Sequence, residues 1–385
     1  MKKLSKLMLA AVASVALAAP AFAWDFSASG SSSATFKQQT YAPAEGDATT
    51  TADFSSSAGG VTISSSNSDG ANSATFSYTA DYNSDGDALN FDEYVSVSGS
   101  KKVGNWTASS ATTQYMQKDS TAGTPMTSNG SAVITLTDGS ITYKLGNAAH
   151  LSTAEKTSDG PMDGTQDAEA SVDAFDGFSV GLGVGPGTLT VALEMGSTGS
   201  SKGAGDATYL GEGTGGGAAL TCGAQKTGFG LNFAGDVGAD LTFTYGSGSA
   251  AMGSGCTDNA SANAATYSVM GLGVAVPVGA MTIALDYGTN VALWTIDNAQ
   301  GGSANAGWEI SLVMPVGDAT AGVNRSSKAT ITTEDAVAVD ATVKGGTELW
   351  YTVPIGAVSL SAGYGSEAVD GATTTQIGAE MSMSF

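Results

Sequence analysis

Arginine and histidine occur once each in this 385-residue chain, cysteine twice and proline eight times, and charged residues of every kind make up only 13%. Each scarcity excludes something. A nucleic-acid partner requires a basic surface to neutralise phosphate, and 14 Lys+Arg against 36 Asp+Glu, a net charge of −22, excludes one. With His150 as the single histidine, neither a His-based zinc site nor a Ser-His-Asp triad has its parts. No enzyme is expected, and His150 reads as a loop residue. Glycine-rich stretches such as Gly211 to Gly217 lack the following Lys-Ser/Thr and the βαβ setting, so they read as loops and not as phosphate cradles. What is present is an ordinary 42% of hydrophobic residues and 53 glycines. Soluble domains carry about 25% charge, so here Ser, Thr, Gly and Ala stand in its place. Part of this surface is expected to face something other than water.

The first 23 residues read as an export address. Lys2, Lys3 and Lys6 form a positive n-region, Leu7 to Pro20 a short apolar run, and Ala21-Phe22-Ala23 a small-x-small cleavage site before Trp24. Residues 24–385 then form the mature domain, with 11 basic residues against 36 acidic ones and a net charge of −25. The apolar run falls short of the roughly 18 residues that span a bilayer, and no other stretch is long and apolar enough. If this exported chain meets a membrane, a closed barrel is the fold that satisfies its backbone hydrogen bonds in lipid.

The periodicity is that of strands. Ala74, Phe76, Tyr78, Ala80 and Tyr82 share one face while Ser73, Thr75, Ser77 and Thr79 share the other. The same alternation returns at Leu189 to Met195, Leu241 to Tyr245, Met281 to Tyr287 and Val358 to Tyr364. A soluble sandwich would carry many Lys and Glu on its exposed face; here the polar face is Ser, Thr and Gly with isolated acids. Lipid outside and water inside account for that composition.

Tight turns punctuate the pattern. Gly185-Pro186-Gly187, Gly235 to Gly238, Pro277-Val278-Gly279, Pro315-Val316-Gly317 and Pro354-Ile355-Gly356 each separate two alternating runs, and from Asp236 the steps are 41, 38 and 39 residues. One tight turn and one long polar stretch per period is the short-turn, long-loop asymmetry of a transmembrane β-barrel. Tyr245, Tyr287 and Tyr364, at the ends of strands leaving tight turns, are placed for an outer aromatic girdle. Weaker turns at Asn67 to Gly70, Lys101 to Asn105 and Asp138-Gly139 bring the total to eight. With a first strand from Trp24 and a last ending at Phe385, the expectation is an all-β, antiparallel barrel of 18 strands of roughly 10 residues, with 16 as the alternative.

At the C-terminus Ile377, Ala379, Met381, Met383 and Phe385 alternate with Gly378, Glu380, Ser382 and Ser384. This ending resembles the assembly signal of Gram-negative outer-membrane barrels. The layout is similar to that of the general porins, and Gly130 to Gly146 resembles the porin hairpin that precedes the loop folded into the pore. The resemblance implies an outer-membrane channel for passive diffusion of small hydrophilic solutes, and a homotrimer. General porins place a row of arginines in the pore; this chain departs from them in having only Arg325.

Candidate chemistry lies in charges and loops. Glu194, Asp286, Glu309 and Glu348, with Lys144 as the clear base among them, fall on the non-lipid face. They read either as cation-favouring pore-lining groups or as a scatter of solvated residues. The stretch Ala148 to Val172, with Glu155, Asp159, Asp163, Asp167 and Glu169, follows the porin-like hairpin. By resemblance it is the constriction loop; otherwise it is an ordinary outer loop. Asp81, Asn83, Asp85 and Asp87, with Gly86 at the sixth position and Asp92 at the twelfth, supply the oxygen ligands that one Ca²⁺ loop requires. The stretch resembles the loops of EF-hand and dockerin proteins, but has Ala88 at the eighth position and Asp in place of Glu at the twelfth, and no other cofactor is expected. Cys222 and Cys256, in outer loops of an exported chain, suggest a disulfide, with two free thiols as the alternative. A secreted, soluble calcium-binding surface or adhesive β-protein is the competing reading of the whole chain.

Overall fold

A computed structural model describes residues 25–83, 90–117, 131–158, 160, 175–197, 224–252, 265–289, 291–293, 302–304, 307–327, 329–332, 341–369 and 372–385. Among these residues there is no helix long and apolar enough to cross a membrane. The strands are β1 (Asp25–Ala42), β2 (Thr49–Ser68), β3 (Asn72–Asn83), β4 (Asn90–Val103), β5 (Trp106–Gln117), β6 (Ser131–Thr137), β7 (Ile141–Ala148), β8 (Phe175–Val184), β9 (Gly187–Ser197) and β10 (Ala224–Asp236). They continue with β11 (Asp240–Met252), β12 (Ala265–Val278), β13 (Met281–Thr289), β14 (Val291–Leu293), β15 (Gly302–Ala304), β16 (Gly307–Val316), β17 (Ala319–Ser326) and β18 (Ala329–Thr332). Last come β19 (Ala341–Ile355), β20 (Val358–Val369) and β21 (Ala372–Ser384).

The short pieces β14, β15 and β18 prolong β13, β16 and β17 across one- or two-residue breaks, pairing among themselves and with β19. The 21 described segments therefore make 18 antiparallel strands, and β1 pairs with both β2 and β21, closing the barrel. Among the described strands, closure leaves no free edge. The eight expected turns all join consecutive strands, and each holds one left-handed glycine, Gly70, Gly104, Gly139, Gly185, Gly238, Gly279, Gly317 or Gly356, with φ between 59° and 95°. Only glycine takes that conformation without steric cost. In three of these turns a carboxylate caps the bend, and in one of them Asp236 accepts from Gly238 N at 2.9 Å. Asp69 accepts from the side chain and backbone N–H of Asn72 and from Ala71 N, and these bonds hold its carboxyl below the usual range. Asp138 is lowered likewise by the backbone N–H groups of Ile141 and Ser140.

Strands run longer than the expected ten residues; β2 has 20 and β19 has 15. Tyr245 and Tyr364 accordingly lie within β11 and β20, which continue to Met252 and Val369. Ladder pairing satisfies backbone groups at any depth, so a hairpin continues beyond the apolar band.

Contacts divide the chain into two compact units. The first unit comprises residues 1–31, 58–136 and 384–385. One face of its strands is a ladder of hydroxyl pairs, Ser27 with Ser64 (2.6 Å), Thr62 with Thr79 (2.8 Å), Ser73 with Ser100 (2.7 Å) and Ser96 with Thr113 (2.8 Å). Val61 and Val97 are exposed on the opposite face. The Phe385 ring lies over Gly30, where a Cβ would come within 2.6 Å of Cζ, and the two backbones exchange hydrogen bonds of 2.8 and 3.0 Å.

The second unit, residues 32–57 and 137–383, inverts the burial of a soluble protein. Along β9, β13 and β16 the polar side chains Glu194, Asp286, Glu309 and Ser311 are buried, while Leu193, Met195, Ile283, Leu285, Trp308 and Ile310 are exposed. Trp308 stands in register with Tyr287 on this outward apolar face.

Candidate functional site

The buried polar row is covered by the stretch that follows β7. Gly146 takes φ +120°, and from Ala149 the chain leaves the wall. His150 then touches β8, Leu151 packs with Phe175, Ala192 and Val269, and the contacts proceed strand by strand to β19 at residue 160. Eleven residues at ~3.3 Å each reach about 36 Å, and the eight spacings from β8 to β19 at ~4.8 Å amount to about 38 Å along the strands, so the segment has to be close to fully extended and to run inside that arc.

A segment that leaves a sheet loses its ladder partners, and its backbone groups need others. Here wall side chains supply them. Ser152 O accepts from Asn232 Nδ2 (3.3 Å) and Thr244 Oγ1 (2.5 Å). Asp286 accepts Lys156 N on both oxygens (2.9 Å each), Thr157 N (2.8 Å) and the Thr157 hydroxyl (2.6 Å). The same hydroxyl lies 3.2 Å from Glu309 Oε2. Ser158 N donates to Ser311 Oγ (3.3 Å), Ser158 O accepts from Asn324 Nδ2 (2.5 Å), and Gly160 N donates to Glu348 Oε2 (3.2 Å).

Glycines on the wall provide the room. A Cβ at Gly230 would meet Leu151 at 2.4 Å, and one at Gly273 would meet Ala154 O, Asp286 Oδ1 and Lys156 Cγ at 2.9 Å. Gly322 lies beneath the Trp350 indole, which in turn lies against Gly160.

His150 fixes the point of departure. Gly146 O lies 2.9 Å from Nε2 and can only accept, so Nε2 carries the proton and Nδ1 accepts from the Ser179 hydroxyl at 2.9 Å. The ring packs against Phe175 with centroids 4.6 Å apart. Burial holds the imidazole below its usual range, and the Lys144 ammonium acts in the same direction.

The wall acids thus face inward, but Asp286, Glu309 and Glu348 are buried under the segment, and Glu194 is buried on β9 opposite Gly177. The physical reason is the segment's own demand for acceptors. Lys144 Nζ lies 3.4 Å from Ala149 O. Glu155 is exposed on the free side of the segment. Arg325, between the buried Asn324 and Ser326, turns to the outer face and donates to Thr347 Oγ1. Asp159, Asp163, Asp167 and Glu169 lie outside the described residues, as do Cys222, Cys256, Asp85, Asp87 and the leader at 1–23. The backbone of Asp81 stands in register with that of Asp92, so the acidic stretch joins two strands of a hairpin.

Sequence reasoning did not single out Thr157, Asn232, Asn324 or Ser311. The legible trace was the inward glycines Gly230, Gly273 and Gly322, which interrupt the small-polar row where another piece of chain comes close.

Solved structures similar to this chain include a mutant of the Rh. blastica porin, 13% identical with a TM-score of 0.42, and an anion-selective porin from Comamonas acidovorans, 11% identical with a TM-score of 0.47. Each covers 94% of this chain and 100% of its own. No family model matches, and no curated protein sequence matches.

Proposed function

We propose that this chain is a porin of the Gram-negative outer membrane, a water-filled channel for passive diffusion of small hydrophilic solutes with a preference for cations. The observation that carries the reading is the segment at 149–160, which enters a closed barrel and docks on its polar inner wall while the outer wall stays apolar. A soluble β-protein has no use for an exterior that exposes Leu193, Met195, Ile310 and Met381 in strand alternation. The segment narrows the passage, and Glu155 on its free side favours cations by lowering their potential. His150 and Ser179 form an imidazole–hydroxyl pair, but both are buried at the wall and out of a solute's reach, which favours a channel over an enzyme. Residues 1–23 serve as the cleaved export signal, and assembly is as a homotrimer.

The test is single-channel conductance of detergent-extracted protein in planar bilayers, with a salt gradient to give the reversal potential. Ohmic steps with a cation-selective reversal potential are expected, in groups of three if trimers insert. Protein that is soluble without detergent and never inserts refutes the proposal.

A further inference from the structure

The docked segment has a three-residue rhythm. Leu151, Ala154 and Thr157 are buried against the wall, while Ser152, Glu155 and Ser158 are exposed on the free side. Lys156 fits neither row. Its backbone N–H is spent on Asp286, its Cγ lies 2.9 Å from where a Cβ on Gly273 would stand, and its ammonium reaches Asp240 Oδ2 at 2.9 Å. Asp240 opens β11 immediately after the tight turn at Asp236 to Gly238, so the lysine is drawn along the wall toward the short-turn end of the barrel. Asp286, the acid that Lys156 N contacts, already receives two backbone N–H groups and a hydroxyl. Lys156 is 19% exposed and Asp240 58%, so both partners are reached by solvent.

We propose that Asp240 is a specificity-determining residue of the channel, acting as a tether that holds the Lys156 ammonium against the wall and away from Glu155. The tether deepens the porin reading and rests on it. With the pair intact, two opposite charges cancel and Glu155 is left to attract cations. Without Asp240, the glycine seat no longer confines the lysine head. Its four-carbon stem then allows it to move over the free side of the segment and oppose Glu155. Losing one acid costs one negative charge, but here it also moves a positive one into the path. The stem lies over a glycine, so a bulkier residue at 273 would deny the lysine this route.

The test is the cation-to-anion permeability ratio, read from reversal potentials of wild type, Asp240→Asn, Lys156→Met and the double variant in planar bilayers. Compact migration of unheated samples on gels reports that each barrel is folded. One charge a few ångströms from a monovalent ion in water changes its local concentration about threefold. Asp240→Asn should therefore lower the ratio by clearly more than threefold in the wild-type background, where an acid is lost and the ammonium moves into the path, and by about threefold in the Lys156→Met background, where only the acid is lost, with the double variant near wild type. Equal effects of Asp240→Asn in both backgrounds would overturn the tether. Absence of conducting steps from the folded wild-type barrel would instead overturn the porin reading itself, so the two failures are distinguishable.

Discussion

Thr157→Val removes one hydroxyl from the centre of the docking row and keeps the branched shape, so no cavity opens. The hydroxyl has one proton to donate, and its distances of 2.6 Å to Asp286 and 3.2 Å to Glu309 direct that proton to Asp286. Hydrogen bonds to charged groups are worth about 1.5–3 kcal/mol. Asp286 keeps the N–H groups of Lys156 and Thr157, so the segment should remain docked but open more often. At 1.4 kcal/mol per factor of ten, amide exchange at residues 150–158 should quicken roughly 10- to 150-fold. Hydrogen exchange read by mass spectrometry on the detergent-solubilised barrel measures this directly. Strands of the wall should exchange as in wild type, and Thr157→Ser, which restores the donor, should recover most of the protection. Exchange within twofold of wild type in the valine variant, or equal loss in valine and serine variants, would refute the argument that this hydroxyl clamps the segment.

Glu155→Gln should reduce the cation-to-anion permeability ratio about threefold by the same Coulomb reasoning, and an unchanged reversal potential would remove Glu155 from the selectivity account. Gly235→Ala should destabilise the barrel by about 1–3 kcal/mol, because the new Cβ meets backbone atoms, Gly187 Cα at 2.4 Å and Pro186 O at 2.8 Å. Gly230→Ala meets the mobile end of Leu151 and should cost less; thermal unfolding in detergent that ranks the two in the opposite order contradicts this. His150 titrates lower in the folded protein than its unfolded value near 6.5, so between those values the unfolded state binds more protons. Its contribution to holding the segment is therefore full above pH 6.5 and fades as pH falls through the folded value. Acidification over that window should raise exchange at residues 149–152. His150→Gln, which keeps a donor for Gly146 O but cannot titrate, should abolish that part of the response; an identical pH profile in the variant would assign it to other groups.

Several features of the fold were legible because they are local. Each tight turn needs one glycine at positive φ, and eight such positions punctuate a two-residue alternation that cannot be helical. Reading them gave the strand number, since each short turn joins two strands. The apolar row ending at Phe385 was equally plain, although its seat over Gly30 was not. Strand length was less legible, because the backbone ladder continues into stretches whose side chains carry no apolar signal.

The site was only half visible. Alternation alone dictates that Glu194, Asp286, Glu309 and Glu348 turn inward, because successive Cβ atoms on a strand point to opposite faces. It does not tell water from protein on the inner side. That choice was made by residues distant in sequence, when Lys156, Thr157 and Gly160 brought backbone N–H groups to Asp286 and Glu348 across separations of 129 to 188 residues. The sequence by itself thus determined an arginine-poor chain of alternating strands with one apolar and one polar face. Tertiary structure alone decided that Asp286 and Glu348 are spent on docking a segment and that Glu155 remains exposed, because burial of a charge depends on what the closed wall brings against it.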